Sequence, residues 1–314
     1  MEEKTIVYNE LLKKKKRNMN KTVFLACMVI IPILHTLVFY VYVNLDSFFL
    51  AFKTPLTNEW TLNNFKMFWL DLTGSLGELN LAFRNTLKFY LLNFVMLFAN
   101  FIVAFFFYKK ILGYKAFRII FYLPAIIAGV AMTTVFTEFV KSTGPLGVLL
   151  QTFDIVLKPG GLLAMPETAL TTVMVYVVWT GFTTNVLLFS GTFARIPEEV
   201  LEAAKLDGCG FLRETFQIIL PLVWPMFSTM LVLSTTAFMS CGGQVLLLTA
   251  DQTATAKTTT LSYWMFSQVY GGGKAGGSGL YGTISAAGLS FSAILIPFTL
   301  FIKKITEKIP TVEY

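Results

Sequence analysis

Long apolar runs separated by short polar stretches recur along the whole chain. Segments free of lysine, arginine, aspartate and glutamate fill Thr22–Leu45, Phe89–Tyr108, Ile119–Thr137, Thr168–Ala194, Thr215–Ala250 and Ala275–Ile302. A helix needs about 20 apolar residues to cross a bilayer, and each run is long enough to be read as a span. The fifth is too long for one. Its start, Thr215–Ile219, reads as an approach to the membrane, and Gly242-Gly243 onward as an outer loop. The pattern predicts an all-α membrane protein with spans near 22–45, 87–108, 117–138, 168–193, 219–241 and 280–302. Prolines at 32, 124, 221, 225 and 297 stand within or beside these spans. Each removes a helix hydrogen bond and permits a kink that neighbouring helices can accommodate.

Basic residues orient the spans. Lys13, Lys14, Lys15, Lys16, Arg17 and Lys21 precede the first; Lys109, Lys110, Lys115 and Arg118 lie between the second and third; Lys303, Lys304 and Lys308 follow the sixth. With six spans these clusters share one side, so the positive-inside rule makes both termini cytoplasmic. Residues 1–21 then form a cytoplasmic tail, and the spans with their connections form one membrane domain, 22–314. The net charge of +7 is read as this orientation signal rather than a nucleic-acid surface. The composition agrees: 55% hydrophobic and 14% charged, against roughly a quarter charged in soluble domains. The first run is too long, and lacks the small-residue site, for a cleaved secretory signal.

Little else carries chemistry. The three cysteines, Cys27, Cys209 and Cys241, give neither a disulfide framework nor metal spacing. The single histidine, His35, reads as a helix-packing residue rather than a proton relay. The glycine-rich 271–279 string lacks the Gly-Lys-Ser/Thr order of a phosphate loop and reads as a linker. No catalytic, metal or nucleotide site is expected, so ATP-Mg, if it drives the chain, binds another polypeptide. In the long outer segment 46–84, Trp60, Phe65, Phe68 and Trp69 predict short helices lying at the membrane surface.

The polar gap between the fourth and fifth runs is the informative one. In Ile196-Pro197-Glu198-Glu199-Val200-Leu201-Glu202-Ala203-Ala204-Lys205-Leu206-Asp207-Gly208, Pro197 suits a first helical position. Glu198 and Glu199 complement the positive end of a helix, and Gly208 can take a left-handed stop. A short helix over about 197–208 follows, with Val200, Leu201 and Leu206 as knobs and Ala203 and Ala204 permitting close approach. Its acidic surface disfavours an anionic leaflet and favours a protein partner with basic groups.

The Glu202-Ala203-Ala204, Gly208, Ile218-x-Leu220-Pro221 pattern resembles the EAA motif of permease subunits in bacterial binding-protein-dependent ABC importers. The flanks Arg118–Pro124, Asn85-Thr86-Leu87 and Tyr281–Ala286 are similar to the carbohydrate branch, and the length and basic N-terminus to its maltose-type "F" subunits. Where family members often carry Thr-x-Gly-Gly-Pro, this chain reads Ser240-Cys241-Gly242-Gly243-Gln244. The resemblance implies a type I importer permease fold in the bacterial cell membrane. It also implies a second homologous permease, two cytoplasmic ATPase subunits and an extracytoplasmic solute-binding protein. The ATPase-coupling residues would be Pro197, Glu198, Val200, Leu201, Glu202, Ala203, Ala204, Leu206, Asp207 and Gly208, with Glu202 paired to a basic residue of the ATPase. Sugars are held by aromatic faces and polar groups between helices, so Tyr122, Tyr176, Trp179, Asn185 and Phe238 are candidate pathway residues. The expected cargo is a sugar or oligosaccharide. A polyol phosphate is the nearer alternative, and an ion-coupled secondary transporter the more distant one; the latter would need buried ionisable residues or an inverted repeat.

Overall fold

A computed structural model describes residues 21–54, 57–74, 77–249, 255–270 and 279–309. The expected tail up to residue 20 and the glycine-rich string 271–278 lie outside the described residues. The described chain is helical, with one isolated bridge between Lys53 and Trp60. It divides into two compact units, Met1–Phe65 with Ser278–Leu289, and Lys66–Gly277 with Ser290–Tyr314.

In the first unit, α1 (Lys21–Ala51) is apolar throughout and exposed as far as Leu50. It continues beyond the predicted span, and residues Thr36–Tyr42 within it are π-helical. Asn64, at the start of α2 (Asn63–Thr73), ends it. The Asn64 amide donates to the carbonyls of Ala51 at 3.0 Å and Lys53 at 2.9 Å. It satisfies acceptors that a helix end leaves open.

The second unit is built on two long helices, α3 (Glu78–Tyr108) and α7 (Ala169–Phe193). α3 begins well before the predicted second span. Packing occurs at two levels along it. At one, Leu97, Phe101 and Phe105 of α3 meet Val186, Phe189 and Phe193 of α7, with Ile219, Val223 and Phe227 completing the cluster. At the other, Phe89 packs with Val173 and Tyr176 of α7 and with Met132, Phe136 and Val140. Beside Phe101, in the first level, Asn100 donates to the carbonyl of Gly181 at 3.2 Å. Interhelical bonds of this kind stabilise membrane bundles modestly.

Two predicted spans are not single rods. The third divides into α4 (Tyr114–Ile126) and a segment over Gly129–Gln151, bent by 113°. That segment holds α5 (Gly129–Val140) and α6 (Pro145–Gln151). Pro124 has no N–H to continue the ladder, and Ile127 and Ala128 are extended, with ψ 138° and 133°. The fifth divides between α9 (Phe211–Leu222) and α10 (Trp224–Ser240), bent by 80°. Pro225 cannot donate to residue 221, and its ring crowds that carbonyl. The break falls at Val223, with φ −98° and ψ 6°. Between α7 and α9 lies α8 (Glu198–Leu206). Four helices, α1, α3, α7 and the long C-terminal helix, are long and apolar enough to cross a membrane; each bent pair as one span makes six among the described residues.

The loop after α10 is fastened to the start of α3. It contains α11 (Gln244–Thr249), α12 (Thr255–Thr258) and α13 (Leu261–Tyr270). Asn85 donates to the carbonyls of Lys257 at 2.9 Å and Thr259 at 3.0 Å, and the Leu261 N–H donates to the Thr86 hydroxyl at 2.8 Å. The chain then enters α14 (Gly279–Thr306). In the second unit, Trp224 donates its indole N–H to the Thr306 carbonyl at 3.0 Å.

The candidate coupling helix and an uncharged cleft

α8 is short, amphipathic and sharply ended. Pro197, expected as its first helical residue, stands instead just outside. Its φ of −59° suits a helix, but its ψ of 136° is extended, and the first turn opens on its carbonyl, which accepts from Val200 at 3.3 Å. At the other end Gly208 takes φ +69°. Its N–H donates to Lys205 and that of Cys209 to Ala204, both at 3.0 Å. This pair of bonds closes the helix in a Schellman stop. A side chain at Gly208 would meet no neighbour, so its cost is conformational alone, about 1–2 kcal/mol for a left-handed L-residue. Gly208→Leu should therefore lower the thermal midpoint of the detergent-solubilised chain, while Gly208→Asn, which tolerates this conformation, should lower it less.

The turns of α8 sort its residues into three faces. Leu201 and Ala204 point inward: Ala204 is buried, and Leu201 packs on the Phe101–Phe193 cluster. Of the expected coupling residues, Ala204 and Leu201 are thus the two that rest against the chain's own core. Val200 is half-buried. Glu199, Ala203 and Leu206, spaced four and three apart, form an exposed stripe, with Leu206 89% exposed. Asp207 and Gly208 are exposed beside it.

The third face, Glu198, Glu202 and Lys205, lines a cavity of about 570 Å³ whose opposite wall carries Lys109, Lys110 and Arg118. Glu202 thus faces basic groups of its own chain, beyond the neighbouring Lys205. Fold proximity of the α3–α4 turn to α8 has no local signature in the sequence, and these cations stood there only as an orientation signal.

The five candidate pathway residues do not gather at one place. Tyr176 is buried with its ring 5.0 Å from that of Phe136, and Trp179 lies 6.2 Å from the same ring. Phe238 is buried beside Tyr90 and Phe291, at 5.1 and 5.9 Å. Tyr122 donates to the Ser190 hydroxyl at 3.3 Å and lies under the Arg118 guanidinium. Asn185 alone of the five lines a cleft of about 180 Å³ between α3, α7 and the end of α10, with Asn93, Ser240, Cys241 and Gln244. None of the described residues lining it is charged. Asn93, Asn185, Ser240 and Gln244 come from four separate helices and Cys241 from the turn between the last two, with Ser240 and Gln244 exposed, so no local pattern in the sequence groups them.

No family model matches the chain. It is 34% identical over 131 residues to the probable ABC transporter permease protein YesP of Bacillus subtilis (strain 168), covering 41% of each protein. It is 23% identical over 248 residues to the multiple sugar-binding transport system permease protein MsmF of Streptococcus mutans serotype c (strain ATCC 700610 / UA159), covering 77% of this chain and 83% of that one. The chain thus spans less than half the length of the first relative and most of the second. A chain of the bacterial alginate ABC transporter, solved in complex with an alginate pentasaccharide-bound periplasmic protein, superposes with a TM-score of 0.74 over 92% of this chain and 96% of its own, at 20% identity. By sequence the chain is similar to permease proteins of bacterial ABC sugar transport systems, and it shares the fold of the alginate transporter chain.

Proposed function

We propose that this chain is one of two permease subunits of an ATP-driven importer, that it crosses the bacterial cell membrane six times with both termini cytoplasmic, and that it passes a sugar or oligosaccharide delivered by an extracytoplasmic binding protein. Two ATPase subunits on the cytoplasmic side bind ATP-Mg; this chain holds no nucleotide. The observation that carries this reading is α8. It is a short helix with a defined stop, seated by Leu201 and Ala204 on the core, and it presents the stripe Glu199-Ala203-Leu206 outward. Burying the exposed Leu206 in a partner's pocket would contribute about 1.5–3 kcal/mol. The clustering of Lys109, Lys110, Lys115 and Arg118 on the turn beside α8 supports a cytoplasmic position for both.

The solute pathway is assigned to the uncharged cleft of Asn93, Asn185, Ser240 and Gln244. Amides and hydroxyls can both donate to and accept from sugar hydroxyls. Among the described residues the lining holds no cation, and a neutral polyhydroxylated solute suits it better than a polyol phosphate, whose charge would call for arginine or lysine. Asn185→Leu should raise the solute concentration for half-maximal uptake by roughly tenfold, the effect of leaving a hydroxyl unpaired, with ATPase binding unchanged. Unaltered uptake kinetics would remove Asn185 from the pathway.

The reading as a whole is tested by recovering the tagged chain from gently solubilised native membranes and identifying what accompanies it. A second permease and an ATPase are expected. Recovery of the chain alone would overturn the importer assignment.

A further inference from the structure

A partly buried ion pair joins the end of α3 to the segment that carries α8 back toward the bundle. The Lys109 ammonium, at the end of α3, donates to Oε1 of Glu214. The Glu214 side chain is only 7% exposed and that of Lys109 21%. Aromatic contacts flank the pair. The Phe211 ring stacks on Phe106 at 5.4 Å, lies 5.3 Å from Phe105, and Lys109 sits over the Phe105 ring at 5.6 Å. Phe105, Phe106 and Lys109 of α3 therefore grip Phe211 and Glu214 of α9.

The gripped segment is unusual in its own backbone. Glu214–Ile219 is π-helical, a geometry that recurs at functional positions because it releases part of the regular hydrogen-bond ladder. It is separated from α8 by Asp207–Arg213 and ends in the buried Ile219. A force applied to α8 thus has a short, rigid route into α3, whose middle carries Asn93 of the uncharged cleft. A fully apolar contact would hold the two helices together equally well. The ion pair adds directionality, since Glu214, 7% exposed, would be left as a buried unpaired charge if the two parted.

We infer that Lys109 and Glu214 are positioning residues that transmit the movement of α8 to α3, coupling ATP hydrolysis to opening of the solute pathway. This rests on the importer reading above. Glu202, by contrast, lies across an open cavity from the basic wall and is not part of the grip.

The test uses the complete transporter in proteoliposomes with the binding protein and its solute. Lys109→Met, Glu214→Gln and the charge-exchanged Lys109→Glu/Glu214→Lys are compared for ATP hydrolysis, solute uptake, ATPase retention on purification and thermal midpoint. The single variants should retain the ATPase and hydrolyse ATP while uptake per ATP falls by at least roughly tenfold. The exchanged pair should recover uptake per ATP to within about threefold of the native value. Should a single variant fail to fold, Lys109→Arg, which keeps the charge, supplies the comparison and should transport normally. Normal uptake per ATP in the folded single variants would overturn the inference. So would an exchanged pair that regains thermal stability without regaining coupling, which marks a purely structural pair. Failure of the native chain to retain any ATPase would instead overturn the importer reading, and is seen before any variant is measured.

Discussion

Leu206→Asp abolishes ATPase retention and solute uptake while leaving the chain folded and inserted. Leu206 is 89% exposed at the end of α8 and contributes nothing to the core, so the substitution removes no internal contact. Burying a leucine side chain is worth about 1.5–3 kcal/mol, a loss of roughly tenfold to a hundredfold in affinity when it is removed, and a desolvated carboxylate in its place adds to that. Glu202→Lys should act differently. It places another cation opposite Lys109, Lys110 and Arg118, and the resulting repulsion weakens coupling without removing the anchor. Co-purification of the ATPase separates the two: it is lost with Leu206→Asp and largely kept with Glu202→Lys. If Leu206→Asp retains the ATPase at native levels, the exposed stripe of α8 is not the docking face.

The second large effect is expected at Gly242, the first glycine of the Ser240-Cys241-Gly242-Gly243-Gln244 stretch. Its φ is +75°, and a Cβ there would stand 2.6 Å from Thr260 Cγ2 and 3.0 Å from Phe89 Cδ2. The Thr260 hydroxyl also donates to the Gly242 carbonyl at 3.3 Å. Gly242→Val combines a left-handed penalty of about 1–2 kcal/mol with overpacking of about 1–3 kcal/mol. It should unseat the loop from α3 and expose it to protease added from outside. Thermal unfolding with limited proteolysis reads the effect, and a native-like midpoint and cleavage pattern would show that the loop can move aside.

Much of the helical framework was legible because its signal is local. The apolar runs coincide with α1, α3, α7 and α14, and the stop at Gly208 announced itself by residue type. The bends were only half legible. Pro124 and Pro225 signal a weakened ladder, but whether a helix kinks slightly or turns by 113° or 80° depends on what its two halves pack against. The faces of α8 were not legible either. Ala203 and Ala204 are adjacent and chemically identical, and only the position of the Phe101–Phe193 cluster sends one inward and the other out. The same holds for Tyr176, Phe238 and Asn185, which look equally suited to a sugar until the rings are seen packed together and the amide facing a cleft. Lys109 was readable as a charge near a membrane, yet its partner Glu214 is 105 residues away, and nothing in the intervening sequence marks the pair.

The bonds from Asn85 and Thr86 set an order of events during synthesis. Asn85 is joined to carbonyls 172 and 174 residues later, and Thr86 to an N–H 175 residues later. At about 5–20 residues per second, the head of α3 therefore waits roughly ten to thirty seconds after emerging before its partners exist. During that interval its amide and hydroxyl depend on water. A nascent chain stalled before residue 257 would carry α3 and α7 already paired, and an unsealed polar rim that a membrane protease could recognise as unfinished.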